Sequence, residues 1–246
     1  MKQYISLSQF PGTTGKYYYS KFFEYYNIPA QYTPMAADNI AESIQHAKQQ
    51  NIAGISVSMP FKSAVIELLD ELDIALAEYP SCNTIVNSNG VLRGYNADLA
   101  GVEYSCKQIK QDDVITILGM GAMGSMFAEY LTKNGYTNLN ICARKLDTWN
   151  NRFKQSDVII NCSALGTSSS NSPFLPGQLD PGTRLVIDLA IKDNELKNQC
   201  AILGVKYTSG IEFYKQQFLK QFEIYTGIKP DSAKFDEFER QLHEKI

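Results

Sequence analysis

Two stretches of this chain carry residue types spaced for chemistry. In the first, Val114–Leu118 (VITIL) runs directly into Gly119-Met120-Gly121-Ala122-Met123-Gly124, and a helical pattern follows from Ser125. Strand, GxGxxG and helix in that order form a dinucleotide-binding turn. Gly119 permits the tight turn, Gly121 lets the backbone approach a pyrophosphate, and Gly124 lets helix and strand pack closely. The diphosphate would rest on the helix N-terminus, where free N–H groups and the helix dipole favour an anion. The next strand, Leu139–Ala143, should choose between cofactors. It ends in Ala143-Arg144-Lys145, and the nearest acid, Asp147, lies beyond its tip. An arginine there favours the 2′-phosphate of NADP over the bare ribose of NAD. One charge-assisted hydrogen bond would supply a preference of about 10- to 150-fold.

The second stretch concerns the proton that accompanies hydride transfer to or from an alcohol. The only histidines are His46 and His243, both in polar, helix-like segments. A histidine triad or multi-histidine metal site is not expected, and proton transfer falls to Lys, Asp, Glu, Tyr or Cys. Lys62 follows a strand-like run stopped by Pro60, and Asp98 follows another in Gly94-Tyr95-Asn96-Ala97-Asp98. Carboxyl ends of strands face the ligand crevice in open α/β sheets. By residue type alone, a surface lysine and a helix-capping aspartate explain these positions as well.

Other chemistries are excluded. Gly12-Thr13-Thr14-Gly15-Lys16 has two spacers where a phosphate loop needs four, and Tyr17 stands where that loop needs a serine or threonine. Lys and Arg number 23 against 26 Asp and Glu, so no broad basic surface for nucleic acid is expected. No apolar run is long enough to span a membrane, and the first residues lack the apolar stretch of a secretory signal. The five cysteines are scattered, with no CxxC pair, which suits buried thiols in a reducing, cytoplasmic setting.

At 246 residues, 44% hydrophobic, the chain has room for one or two folded domains. The first half reads as strand Gln3–Ser8, helix Lys16–Tyr26, helix Asn39–Gln50, strand Gly54–Met59 and helix Lys62–Glu71. Thr84–Asn87 and Val91–Gly94 then form a hairpin around Ser88-Asn89-Gly90. This alternation implies an α/β layer with parallel strands. After a polar stretch at Ile109–Asp113 a second α/β unit begins, with helix Ser125–Asn134, a helix-like Lys145–Lys154, strands Asp157–Asn161 and Arg184–Leu189, helix Asn194–Leu203 and strand Val205–Thr208. Ser168–Pro176 is a loop by composition. Helices Glu212–Tyr225 and Ser232–Lys245 close the chain.

Several motifs resemble those of the shikimate dehydrogenase family. The family pattern reads about NVTxPxK, LDE, AVNTxV and GxNTDxxG; this chain has SVSMPFK (56–62), LLDEL (68–72), SCNTIV (81–86) and GYNADLAG (94–101) at matching spacing. Residues 210–227 are similar to its GxxxLxxQxxxQFExWTG signature. The resemblance implies an α/β fold with an N-terminal substrate domain, residues 1–105, completed by about 217–246. A Rossmann-type NADP domain would occupy 106–216, with the C-terminal helices returning to the first domain and a cleft between the two. It implies NADP-dependent interconversion of 3-dehydroshikimate and shikimate, within aromatic amino acid (chorismate) biosynthesis, by a monomer or homodimer. Lys62 would carry the hydroxyl proton, with Asp98 paired to it. Ser58, Asn83, Gln217, Thr13, Ser6 and Ser8 would bind substrate. Gly119, Gly121, Ala122, Met123, Gly124, Arg144, Lys145, Ser163, Leu189 and Gly210 would bind the cofactor. Burial lowers a lysine's pKa towards neutrality and a nearby carboxylate opposes that shift.

Departures from the family pattern cluster away from Lys62 and Asp98. The usual Ser-x-Ser-Pro is replaced by the Phe10–Lys16 region, although Ser6-Leu7-Ser8 keeps a Ser-x-Ser. Ile191 stands where a tyrosine usually follows Asp188, Ala143 replaces an asparagine, and the NATSxG loop reads Asn161-Cys162-Ser163-Ala164-Leu165-Gly166. A divergent branch is expected, with quinate or another cyclic polyol acid as the alternative substrate, and a dinucleotide sensor with little turnover as the alternative role.

Overall fold

The structure, a computed structural model, describes residues 1–166 and 171–244. Residues 168–170 of the expected Ser168–Pro176 loop, and Lys245 of the expected last helix, lie outside the described residues. The chain forms two units, one of residues 1–99 with 217–246 and the other of residues 100–216.

The first unit is built on a sheet of six strands: β1 (Lys2–Ser8), β2 (Ala30–Ala36), β3 (Gly54–Val57), β4 (Glu71–Leu72), β5 (Thr84–Ser88) and β6 (Val91–Tyr95). Their order is β2-β1-β3-β5-β6-β4. The sheet is mixed rather than parallel, because the β5–β6 hairpin enters antiparallel beside β3. The hairpin turn matches its sequence signal, with Asn89 and Gly90 both at positive φ. β2 has no counterpart in the sequence reading. It contains Pro34, which cannot donate to a ladder, and it lies at the sheet edge, where that donor is not needed. The helices before the second sheet are α1 (Thr14–Tyr25), α2 (Ile40–Gln49), α3 (Ile74–Glu78) and α4 (Asp98–Cys106), which begins in the first unit and continues into the second. The helix expected over Lys62–Glu71 is only a 3-10 turn, Ala64–Leu68. Asp70 ends it: its N–H donates to Leu92 O, and its carboxylate accepts Leu92 N–H at 2.7 Å, drawing the chain into β4 beside β6.

The second unit holds a wholly parallel sheet of β7 (Ile115–Leu118), β8 (Leu139–Cys142), β9 (Val158–Asn161), β10 (Leu185–Asp188) and β11 (Lys206–Thr208). Its order, β11-β10-β9-β7-β8, reverses direction between β7 and β9. Such a reversal splays the connections apart and leaves a crevice at the carboxyl ends of those strands. Helices α5 (Ala122–Lys133) and α6 (Glu195–Leu203) cross over between strands. The segment expected as helix near Lys145–Lys154 forms two 3-10 turns, Arg144–Leu146 and Trp149–Phe153. Asp147 breaks it at φ 55°, and the Thr148 hydroxyl accepts Ala143 N–H.

Helices α7 (Gly210–Thr226) and α8 (Ser232–His243) end the description. The part of α7 from Gln217 onwards, with α8, packs on the first unit through an aromatic cluster. Tyr18 stacks on Phe235 with centroids 4.4 Å apart, Tyr19 stacks on Tyr32 at 4.1 Å, and Phe22 meets Phe218, Phe222 and Phe238. This explains the tyrosine and phenylalanine content of α1: its inner face is an aromatic surface for the returning helices. Each well-oriented pair adds about 0.5–1.5 kcal/mol beyond area burial. Phe22→Ala is therefore expected to destabilise the first unit by about 3–5 kcal/mol, read as a lower denaturant midpoint. A midpoint within error of the parent would remove the cluster's structural role.

Candidate active site

Lys62 and Asp98 meet in the first unit. Lys62 Nζ donates to Asp98 Oδ2 at 2.7 Å, and the two side chains are only 16% and 4% exposed. Three backbone features bring them together. β3 ends at Val57, and a tight turn closes with Phe61 N–H donating to Ser58 O, delivering Lys62 just past the strand. The Lys62 carbonyl then accepts Cys82 N–H at 2.9 Å, so the entry to β5 holds its backbone. Asp98 begins α4, directly after Ala97, whose N–H donates to Asn83 Oδ1 at 2.9 Å. Removing either partner of such an enclosed pair leaves an uncompensated charge.

The other expected substrate residues of this unit are placed as follows. Asn83 is buried beside the pair's supports, and its Nδ2 has no hydrogen-bond partner. Ser58 is exposed at the end of β3, with its N–H on Leu7 O. Ser6 lies opposite Ser56 in the β1–β3 register, and Ser8 ends β1 almost buried. Gln217 is half-buried on α7. Thr13 is exposed before α1, and its hydroxyl caps no backbone N–H of that helix.

Some contributors were not singled out from sequence. Ser56 donates to Gln221 Oε1 at 3.2 Å and lies 2.9 Å from the Tyr225 hydroxyl. Burial raises the pKa of the Tyr32 phenol, against the opposing hydrogen bonds of Ser56 and Ser6. Burial also raises Tyr225 well above the usual range, with Tyr32 adding to it. Both phenols stay neutral and keep their protons for donation. Gln221 lies one helical turn after Gln217, which is the signal that could have found it.

The thiols are unsuited to nucleophilic work. Burial pushes Cys82 up to about 11 and Cys106 and Cys200 up to about 12. The histidines are peripheral: His46 is exposed on α2, and His243 faces Glu239 at 2.8 Å on α8.

In the second unit the glycine loop follows β7, at the sheet reversal. Gly119 has φ +88°, and a Cβ there would stand 2.9 Å from the Ser163 Cα. A Cβ on Gly124 would collide with the Gly119 carbonyl oxygen, whereas Gly121, which precedes α5, faces open space. The turn is closed, the helix is packed against it, and the middle glycine's backbone is open to a ligand. Ala122 and Met123 open α5 and contribute N–H groups to its first turn. A cavity of about 320 Å³ is lined by Gly119, Gly121, Arg144, Lys145, Trp149 and Ser163, among others. The Arg144 guanidinium lies 5.5 Å from the centroid of the Trp149 ring. Ser163 is pinned by Asn161 Oδ1, which accepts both its N–H and its hydroxyl. Asn161 in turn donates to the buried Asp188 carboxylate at 3.0 Å. Leu189 and Gly210 are not among the cavity's lining residues. They abut each other, since a Cβ on Gly210 would collide with the Leu189 carbonyl.

An open glycine turn over a cavity with a basic pair at its rim fits a phosphorylated dinucleotide. Fold and site define a two-unit α/β protein with one doubly wound unit and one mixed-sheet unit bearing an enclosed lysine–aspartate pair. Residues 14–85 match the family model of the shikimate dehydrogenase substrate binding domain. The chain is similar to the shikimate dehydrogenase (NADP(+)) of Pyrococcus abyssi, 26% identical over 231 residues and 87% of each chain. It is 29% identical over 216 residues to that of Thermococcus kodakarensis, covering 80% of this chain and 79% of the relative. Shikimate dehydrogenase 1 of Peptoclostridium difficile has the same fold, with a TM-score of 0.86, 22% identity and coverage of 100% and 99%. Over most of its length the chain is thus similar to shikimate dehydrogenases.

The glycine geometry has a direct check. Gly124→Ala should lower stability by about 1–3 kcal/mol through overpacking. Gly121→Ala should leave the melting temperature close to the parent's. A reversed order in thermal melts would contradict the roles assigned to the loop.

Proposed function

We propose that the chain is an NADP-dependent dehydrogenase of shikimate type, interconverting 3-dehydroshikimate and shikimate. The observation that carries this reading is the enclosed Lys62–Asp98 pair, 2.7 Å apart, beside an asparagine amide whose nitrogen has no partner. It is supported by the match of residues 14–85 to a substrate binding domain, and by relatives named as NADP(+) enzymes across most of the chain.

NADPH, held by Arg144, Lys145 and the Gly119–Gly124 turn, would supply the hydride for carbonyl reduction. Lys62 donates its ammonium proton to the carbonyl oxygen as that oxygen becomes a hydroxyl, and it takes the proton back in the reverse direction. Asp98 holds the ammonium in line and accepts a hydrogen bond from the neighbouring hydroxyl. Asn83 Nδ2 and Gln217 donate to the polyol, and Ser6, Ser8, Ser58 and Thr13 supply hydroxyls for the carboxylate and ring oxygens. Arg144 and Lys145 receive the 2′-phosphate. Gly119 to Gly124 receive the diphosphate, with Ser163 completing the cofactor's surroundings. Reduction thus consumes one hydride and one proton, and Lys62 regains its proton from solvent.

A related cyclic polyol carboxylate, such as quinate, is the second reading. It is favoured by Ile191, half-exposed where the family pattern carries a tyrosine, and by Ser56 where that pattern begins with asparagine.

Initial rates with shikimate and NADP, followed by NADPH absorbance beside quinate and NAD controls, test the reading. Saturable turnover with shikimate supports it; turnover with quinate alone moves the assignment to the second reading. Lys62→Ala should lower kcat by about 10²–10⁴-fold with little change in NADP binding. Equal losses in both, in a folded protein, would contradict the role of Lys62. Arg144→Ala should raise the KM for NADP by about tenfold or more while sparing NAD. No change in either would sink the cofactor assignment.

A further inference from the structure

Asn83 is 2% exposed, and its two amide ends are treated unequally. The oxygen Oδ1 accepts two donors, the Ala97 N–H at 2.9 Å and the Thr84 hydroxyl at 2.7 Å. The nitrogen Nδ2 is buried with no partner. The two ends of an asparagine amide are nearly alike in shape, so partners alone decide which end points where.

Those partners are themselves directed. Thr84 Oγ1 accepts from Gln221 Nε2 at 2.7 Å and so spends its single proton on Asn83. Gln221 is locked against turning over, because its Oε1 accepts from the Tyr19 hydroxyl at 2.9 Å and from Ser56 Oγ at 3.2 Å. Its Nε2 also donates to the Asn83 carbonyl at 3.0 Å. Ser56, with its proton on Gln221, accepts from the Tyr225 hydroxyl at 2.9 Å. Every proton in the chain Tyr225 to Ser56 to Gln221 to Thr84 to Asn83 therefore runs one way. A reversed Gln221 would face two donors with its NH2 group and leave Thr84 free to point elsewhere.

We infer that Gln221, acting through Thr84, is a positioning residue that sets the Asn83 amide with its NH2 free to donate to a substrate oxygen. The inference rests on the proposed function for the identity of that oxygen and on the hydrogen-bond relay for the orientation. Gln221 touches no substrate in this scheme. Its contribution passes through Asn83 and is lost when Asn83 is removed.

The test combines kinetics with a readout that needs no substrate. Thr84→Val keeps the side chain's shape and removes the hydroxyl. It should raise the KM for shikimate by about tenfold, the size of one net hydrogen bond, with the KM for NADP unchanged. Thr84→Ser should restore the parent value. On an Asn83→Ala background, Thr84→Val should add nothing further. Gln221→Glu, which replaces both Nε2 donors with an acceptor, should repeat the Thr84→Val result and replaces it if that variant fails to fold. In ¹⁵N spectra, the Asn83 side-chain amide pair, identified by its loss in Asn83→Ala, should shift or broaden in Thr84→Val and Gln221→Glu and return in Thr84→Ser. Additive losses on the Asn83→Ala background, or an amide pair unchanged in both variants, overturn the relay. If the parent protein does not turn over shikimate, the functional reading falls by itself. The amide signals then decide the relay alone: altered in the variants they uphold it, unchanged they overturn it.

Discussion

An ammonium and a carboxylate drawn out of water to 2.7 Å make a costly arrangement unless backbone and side chains around them leave no freedom to separate. In the first unit that constraint is met mainly by the start of β5. Cys82 N–H grips the Lys62 carbonyl, and Asn83 Oδ1 grips the N–H of Ala97, the residue before Asp98. Two consecutive residues, Cys82 and Asn83, thus tie both halves of the pair to the entry of one strand. The hairpin that begins there enters antiparallel beside β3, so the end of β3 and the start of β5 lie at the same edge of the sheet. The mixed topology is what brings Lys62 and Asp98 together from 36 residues apart.

The same strand start depends on the end of the chain. Gln221 donates to the Asn83 carbonyl and to the Thr84 hydroxyl, and α7 is held against this unit by Phe218 and Phe222 within the aromatic cluster of α1 and α8. Aromatic packing fixes the helix, and the helix fixes the polar chain beneath it. Hydroxyls are suited to this because Tyr19, Ser56, Thr84 and Tyr225 each bring one rotatable proton that settles on the nearest fixed acceptor. The second unit solves its own problem differently. There Asp188, fully buried, accepts from Asn161, Asn194, Tyr207 and the Ala190 N–H, and Asn161 passes that rigidity to Ser163 beside the glycine turn.

Much was legible in the sequence where local physics decides. The GxGxxG turn, the Asn89-Gly90 hairpin and most helices of the second half lie where glycine geometry and apolar spacing put them. Misreadings occur where tertiary partners outbid local pattern. Lys62–Glu71 has helical spacing, but Asp70 binds Leu92 and pulls its end into a strand. Lys145–Lys154 fails as one helix because the Thr148 hydroxyl takes the Ala143 N–H. Pro34 hid β2, since a proline is tolerated in a strand only when that strand has an open edge.

By itself the sequence determined the glycine turn, the absence of an acid at the tip of β8, and the lysine and aspartate as candidates, because these depend on residue type and short spacing. It also carried the family motifs. Only the tertiary structure decided that Lys62 and Asp98 are partners rather than a surface lysine and a helix cap. The reason is physical: a contact across 36 residues depends on which strand ends share a sheet edge, and strand pairing is a property of the whole sheet. The same holds for Gln221, whose role follows from which end of its amide faces Thr84, an orientation set by Tyr19 and Ser56 from distant parts of the chain.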